Sequence, residues 1–192
     1  MRTRKTVFIL ISGKAGVGKS TLGNYLVTKL SSIKGIAVIT VPFADSLKRL
    51  ATSAFGWDGE KDAKGRRLLQ VIGTEAGRGY DENIWVRKTV DFATTSSIFP
   101  PHFVLCDDWR YRNECSYIAD LGVHDLYTIR VEASNRELLK GTDEAKHISE
   151  TSLPSGKNGL YEVVVDNKGK LNSLYRQGDT IVSDLEKKFI LE

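Results

Sequence analysis

The chain has 192 residues, 41% of them hydrophobic and 27% charged, with a net charge of +4. That balance is ordinary for a globular protein and excludes a disordered chain, and the length suits one domain with room for insertions. No apolar run approaches the roughly 18 residues of a membrane span, and the basic residues are scattered among acidic ones, unlike a nucleic-acid surface.

The chain opens on Met1-Arg-Thr-Arg-Lys5, which is basic and followed by an apolar stretch, the outline of a signal peptide. That stretch ends in a glycine-rich loop instead of a small-residue cleavage site, so Thr6–Ser12 is expected to be a first buried strand. The loop reads Gly13-Lys14-Ala15-Gly16-Val17-Gly18-Lys19-Ser20, with Thr21 next. Its spacing is G-x-x-x-x-G-K-[ST]. Glycines let a backbone curl around a polyphosphate with N–H groups pointing inward, and a helix starting there adds more donors and a positive dipole end. Lys19 can then reach the β- and γ-phosphates and Ser20 can hold Mg²⁺. A nucleoside triphosphate is the expected ligand.

The helix after the loop is predicted from Lys19 to Ser31, with Leu22, Tyr25, Leu26 and Leu30 on its core face. Residues 37–43 form a second strand. Asp45 or Ser46 is placed to cap a helix over 47–55 that Gly56 ends, and 56–65 reads as a polar loop. A short helical piece over 66–72 leads into a second glycine-rich element, Gly73-Thr-Glu-Ala-Gly-Arg-Gly-Tyr80, and then a helix over 84–93. Pro100-Pro101 breaks the chain. A strand over 102–106 delivers Asp107-Asp108, a helix covers 114–121, and a fourth strand covers 125–131. Residues 135–141 read as a short helix, the polar stretch to Asn158 as mobile, 161–165 as a fifth strand and 171–190 as the closing helix. Strands alternating with helices predict a three-layer α/β sandwich on a parallel sheet. Cys106 and Cys115 lack the partners of a disulfide framework or zinc site, so a reducing cytosol is expected.

The second anchor is the acidic end of the third strand. A carboxylate there can hold Mg²⁺ and orient an attacking oxygen, and because strand neighbours point to opposite faces, only one of Asp107 and Asp108 faces the site. The stretch Asp166-Asn-Lys-Gly169 does not supply the Asn-Lys-x-Asp of guanine-selective GTPases. Two polar insertions, about 44–98 and 133–160, are of a size to cover an acceptor and to close over ATP, excluding water. This layout suits a small-molecule kinase.

Five blocks sharpen the reading: Phe43-Ala-Asp-Ser-Leu-Lys48, Leu69-Gln-Val-Ile-Gly-Thr-Glu-Ala-Gly-Arg78, Asn83-Ile-Trp-Val86, Asp108-Trp-Arg-Tyr-Arg-Asn-Glu114 and His147-Ile-Ser-Glu150. In that order they resemble the bacteriophage-type deoxynucleoside monophosphate kinases. The resemblance implies transfer of the ATP γ-phosphoryl group to a deoxynucleoside 5′-monophosphate, with Mg²⁺, on a five-stranded core of order 2-3-1-4-5. It also implies small-molecule partners without nucleic acid or membrane, and it permits a homodimer. Two departures stand out: Ser20 where many relatives have Asp, and Tyr111-Arg112 where they have Phe-Pro.

Under this reading Lys19, Asp108 and Arg110 are the catalytic candidates, and Ser20 and Asp108 the metal ligands. The loop from Gly13 to Thr21, with Arg136, binds ATP. Asp45, Lys48, Arg78, Trp85, Asp108, Arg110 and Glu114 bind the acceptor: Arg78 grips its phosphate bidentately, and Trp85 either stacks on its base or packs in the core. Asp45 and Lys48 have plain alternatives as a cap and a solvated lysine. Arg136, Lys140, Lys146 and His147 are candidates to close over the triphosphate, with solvated charge as the alternative. A kinase of another phosphorylated metabolite, such as a phosphomevalonate-type kinase, and an ATP-binding regulator are the competing functions.

Overall fold

The computed structural model describes residues 5–95, 101–139, 141–156 and 159–191. Five strands, β1 (Thr6–Ser12), β2 (Val38–Thr40), β3 (Phe103–Trp109), β4 (His124–Glu132) and β5 (Val163–Asp166), make one sheet of order β2-β3-β1-β4-β5. Every pairing is parallel. This is the sheet order expected from the sequence.

The central strand is apolar throughout because both of its faces are covered. Val7, Ile9 and Ile11 point into a core with Leu22, Leu26 and Leu30 of α1 (Lys19–Ser31) and Leu174, Ile181 and Leu185 of α7 (Leu171–Phe189). Phe8 and Leu10 point the other way, onto Val86 and Val90 of α4 (Ile84–Thr95) and Ile118 of α5 (Arg112–Asp120). Each such aliphatic side chain contributes about 1.5–3 kcal/mol on burial. Tyr25, expected on the α1 core stripe, lies at the rim and stacks on Tyr175.

A third cluster, Leu47, Ala51, Ile72 and Trp85, holds the first insertion together. It joins α2 (Asp45–Phe55), α3 (Ala63–Gln70) and α4. Among the described residues, no helix is long and apolar enough to cross a membrane.

Three local expectations are corrected, and one element gains a structure. Neither Asp45 nor Ser46 caps α2: its N-cap is Ala44, without a side-chain bond. The second glycine-rich element is a π-helix, Val71–Arg78, running straight on from α3. Its glycines serve close packing, since a Cβ on Gly77 would lie 2.6 Å from the Trp85 ring and one on Gly73 2.9 Å from Leu47. Residues 135–139 are turns, and the helical turns lie later, as a 3₁₀ turn (Asp143–Lys146) and α6 (Ile148–Thr151). The stretch expected to be mobile is fastened at several points: Ser152 Oγ donates to the Arg110 carbonyl, Leu153 is buried and Gly156 N donates to Glu132. Asn158, Lys140, Pro100 and the far edge of the first insertion lie outside the described residues.

Candidate active site

The phosphate loop has the backbone its glycines permit. Gly18 is the N-cap of α1 with φ 99°, and a Cβ there would come within 2.4 Å of Asn167 Nδ2. That amide donates to the Val17 carbonyl at 2.8 Å, tying the β5–α7 connection to the loop. Lys19 Nζ spans the loop, donating to the carbonyls of Gly13 and Lys14 at 2.8 Å each. Its pKa is lowered to about 8, by burial first and then by the Arg110 guanidinium, against the pull of Glu150, Asp107 and Asp108.

At the end of β3 the two aspartates part. The register of β3 on β1 slips by one residue between Leu10 and Ser12, a bulge of the kind that re-aims side chains beside active sites. Asp107 faces α1 and accepts from Ser20 Oγ at 2.6 Å. Asp108 faces the first insertion, where its two oxygens accept Phe43 N at 2.8 Å and Ala44 N at 3.0 Å. The carboxylate beside Ser20 is therefore Asp107, and Asp108 fastens the approach to α2 in place of the missing local cap. Burial raises the Asp108 pKa while those two amides lower it. Ser20 and Asp107 are hard oxygen donors on the phosphate loop, which fits Mg²⁺: that ion is usually held by one or two protein oxygens with phosphates and water completing its shell.

Beyond β3 lies a cavity of about 220 Å³. Phe43, Leu47, Leu69 and Trp85 form its apolar side, and Gln70, Thr74 and Tyr111 add polar groups. Lys48, Lys61, Arg66 and Arg110 line it with cations. Arg78 and Glu114 make one wall. Glu114 is buried, and its carboxylate accepts Arg78 Nη2 at 2.5 Å, Arg110 N at 2.9 Å and Tyr111 N at 3.1 Å. Burial pushes its pKa up to about 7 against these three donors, Arg78 foremost. Arg78 also donates to the Glu82 carbonyl at 3.1 Å, and its guanidinium lies 3.8 Å over the Tyr111 ring.

The seam between loop and cavity is closed by Glu150. One oxygen accepts Ala15 N of the phosphate loop at 3.2 Å, and the other pairs with Arg110 Nη1. Arg110 also donates to the Ser149 carbonyl at 2.9 Å. His147, whose role was not readable, caps α6: its Nδ1 accepts Ser149 N at 3.2 Å, which sets the helical turn that carries Glu150. Leu139 and Glu150 also line a neighbouring hollow of about 230 Å³ beside Lys14 and Ala15.

The structure thus gathers Lys48, Arg78, Asp108, Arg110 and Glu114 around one cavity, which Glu150 links to the phosphate loop. Other residues fall elsewhere or only at its edge. Asp45 is not among the lining residues and pairs with Arg49 at 3.2 Å. Trp85 is 4% exposed and donates to the Gly73 carbonyl, so it meets the cavity only at its edge. Arg112 is exposed and lines nothing. Of the second-insertion cations, Arg136 donates to the Gly169 carbonyl and Lys146 pairs with Asp143 on the surface. Thr21 is exposed in the first turn of α1. Lys61, Arg66 and Glu150 line the cavity without having been singled out from the sequence, and of the two aspartates left open it is Asp107 that meets Ser20.

No protein-family model matches the chain, and no curated protein does. Solved structures match by fold. The hexameric APS kinase from Thiobacillus denitrificans aligns with a TM-score of 0.50 and 16% identity over 100% of this chain and 31% of that one. This chain therefore spans less than a third of that protein. APE1195 aligns with a TM-score of 0.53 and 16% identity over 97% of this chain and 98% of that one. The Mycobacterium tuberculosis APS kinase CysC, in complex with AMPPNP and APS, aligns with a TM-score of 0.50 and 13% identity over 95% and 99%. What this chain shares with these structures is the fold, an α/β sandwich on a five-stranded parallel sheet.

Proposed function

We propose that the protein transfers the γ-phosphoryl group of ATP directly to the phosphate of a deoxynucleoside 5′-monophosphate. The observation that carries this is Glu150. A single carboxylate touches both the phosphate loop, through Ala15 N, and the cavity, through Arg110. An anion the size of a phosphoryl group therefore meets donor and acceptor sites at once, which is what in-line transfer needs.

The acidic side chains lining the cavity favour a phosphate over a hydroxyl as the nucleophile. They are Asp108, Glu114 and Glu150, and each is held by N–H donors. Attack by an alcohol calls for a base with a free lone pair to take its proton. A phosphate monoester is already a dianion near neutral pH, its second pKa being about 6. Its oxygen forms the new bond to the γ-phosphorus as the bond to the β,γ-bridging oxygen breaks. ADP leaves with that electron pair, and no proton moves. Lys19 and the loop N–H groups neutralise charge on the moving group, and Arg110 meets it from the acceptor side. Ser20 and Asp107 would hold Mg²⁺, which supplies further neutralisation of the phosphates when bound.

A nucleoside is favoured by the apolar side of the cavity, which is set against the Gln70 amide and the Thr74 hydroxyl. The ordered blocks shared with the deoxynucleoside monophosphate kinases point the same way. The test is ADP release with dAMP, dCMP, dGMP and dTMP, beside phosphomevalonate, APS and gluconate as controls. Turnover with at least one deoxynucleotide is expected, and none with the hydroxyl acceptors APS and gluconate or with the phosphate acceptor phosphomevalonate; turnover with phosphomevalonate alone would move the reading to that class of kinase. ATP binding without acceptor-stimulated ADP release would replace the kinase with a regulator.

A further inference from the structure

Lys48, Lys61 and Arg66 reach the cavity from three different elements: the first turn of α2, the loop over 56–62 and α3. Among the described residues, none of the three has an ion pair or a side-chain hydrogen bond. The neighbouring acids are engaged elsewhere: Asp45 with Arg49, Asp62 with Gly65 N, and Asp108 with Phe43 N and Ala44 N. Converging cations without a counter-ion repel one another, and a concave wall focuses their field on whatever anion enters. The Lys61 ammonium responds accordingly, its pKa being lowered by burial and then by Lys48, Arg66 and Arg110.

The loop that delivers Lys61 and leads into the helix of Arg66 is pinned. Trp57 Nε1 donates to the Glu60 carbonyl at 2.8 Å, Glu60 N donates to Asp58 at 2.9 Å, and Asp62 caps α3 through Gly65 N at 2.7 Å. Gly65 is buried beneath it, and a Cβ there would lie 2.2 Å from the Glu60 carbonyl. Arg78, by contrast, already has a buried carboxylate as counter-ion in Glu114, and it also meets the Glu82 carbonyl and the Tyr111 ring.

We infer that Lys48, Lys61 and Arg66 are the site for the acceptor's phosphate dianion, that Arg78 braces the cavity wall beside it, and that Arg110 is left for the group in transfer. The inference rests on the transfer reading above and assigns the ligand class within it: a phosphate monoester, whose two charges answer the three cations.

The test uses the full chain with the deoxynucleotide that turns over best, comparing wild type with Lys61→Ala, Arg66→Ala and the double variant. Lost charge-assisted hydrogen bonds should raise the acceptor KM about tenfold per residue, with much smaller changes in kcat. The Kd for AMPPNP should stay constant, the thermal midpoint should hold, and Lys61→Arg and Arg66→Lys should retain most of the affinity. Calorimetric binding of the nucleoside monophosphate separates two kinds of failure. Binding that weakens in the variants while no acceptor turns over would reject transfer and keep the anion site. An acceptor KM in the double variant within about twofold of wild type would reject the anion site and keep transfer.

Discussion

Under the proposed transfer, the donor side and the acceptor side of this molecule are made of different material. The phosphate loop is built from backbone: N–H groups held in place by glycines, with Lys19 bound to two carbonyls of the same loop. Eight contiguous residues define it. The cavity is built from side chains on several elements, among them α2, α3, the π-helix, α4 and β3, and among the described residues three of its cations, Lys48, Lys61 and Arg66, have no ion pair. A backbone cradle suits a ligand part common to every donor, the triphosphate. Side-chain walls suit the part that differs between acceptors, and they can be altered without disturbing the cradle.

That division gives the first expectation. Lys19→Ala should lower kcat by about a thousandfold, because it removes charge stabilisation of the moving group. The thermal midpoint should be unchanged, since the lysine charge is disfavoured by burial in the free protein. Retention of more than about a tenth of wild-type kcat would place the chemistry elsewhere.

On the acceptor side the matching experiment strikes stability. Glu114→Gln replaces two acceptor oxygens with one, so the amide cannot serve both Arg78 and the two backbone N–H groups. Leaving a guanidinium only 12% exposed without its carboxylate should cost about 3 kcal/mol, or roughly 6–12 °C in Tm. A variant as stable as wild type would show that the wall does not depend on this pair.

The same contrast decides what could be read in advance. The loop was legible because its function is encoded by neighbours in the chain. So was the sheet, since Val7 to Ile11 show the unbroken apolar run of a strand covered on both faces. The acceptor side was legible only as blocks. The carboxylate that holds Phe43 N and Ala44 N ahead of α2 is Asp108, 64 residues downstream of Ala44, and no local rule finds it. The string Gly73 to Tyr80 has the composition of a loop, yet Gly73 and Gly77 are small because Leu47 and the Trp85 ring press against them inside a π-helix. Which aspartate faces Ser20 depends on which face of β3 packs on α1: Phe103 and Leu105 lie in that core, and Asp107 continues their alternation. Lys61 and Arg66 look like solvated charge until the fold turns them onto one wall.

The smallest effect concerns pH and reports on the donor side alone. Lys19 in the free protein has a pKa of about 8, held down by burial and by Arg110. A bound polyphosphate favours the charged ammonium, so the pKa of the complex lies higher. Below about pH 8 Lys19 is already protonated and AMPPNP affinity should be flat in pH. Above it, binding must take up a proton, and Kd should rise by up to about tenfold per pH unit until the pKa of the complex is reached. Calorimetry at pH 7, 8 and 9, in two buffers of different ionisation enthalpy, measures the Kd and the proton uptake together. Lys19→Arg should abolish the slope, because a guanidinium does not titrate in this range. A wild-type Kd that is equally strong at pH 7 and 9, with no proton taken up, would mean that the lysine charge is not coupled to the phosphates and that the cradle acts through its backbone alone.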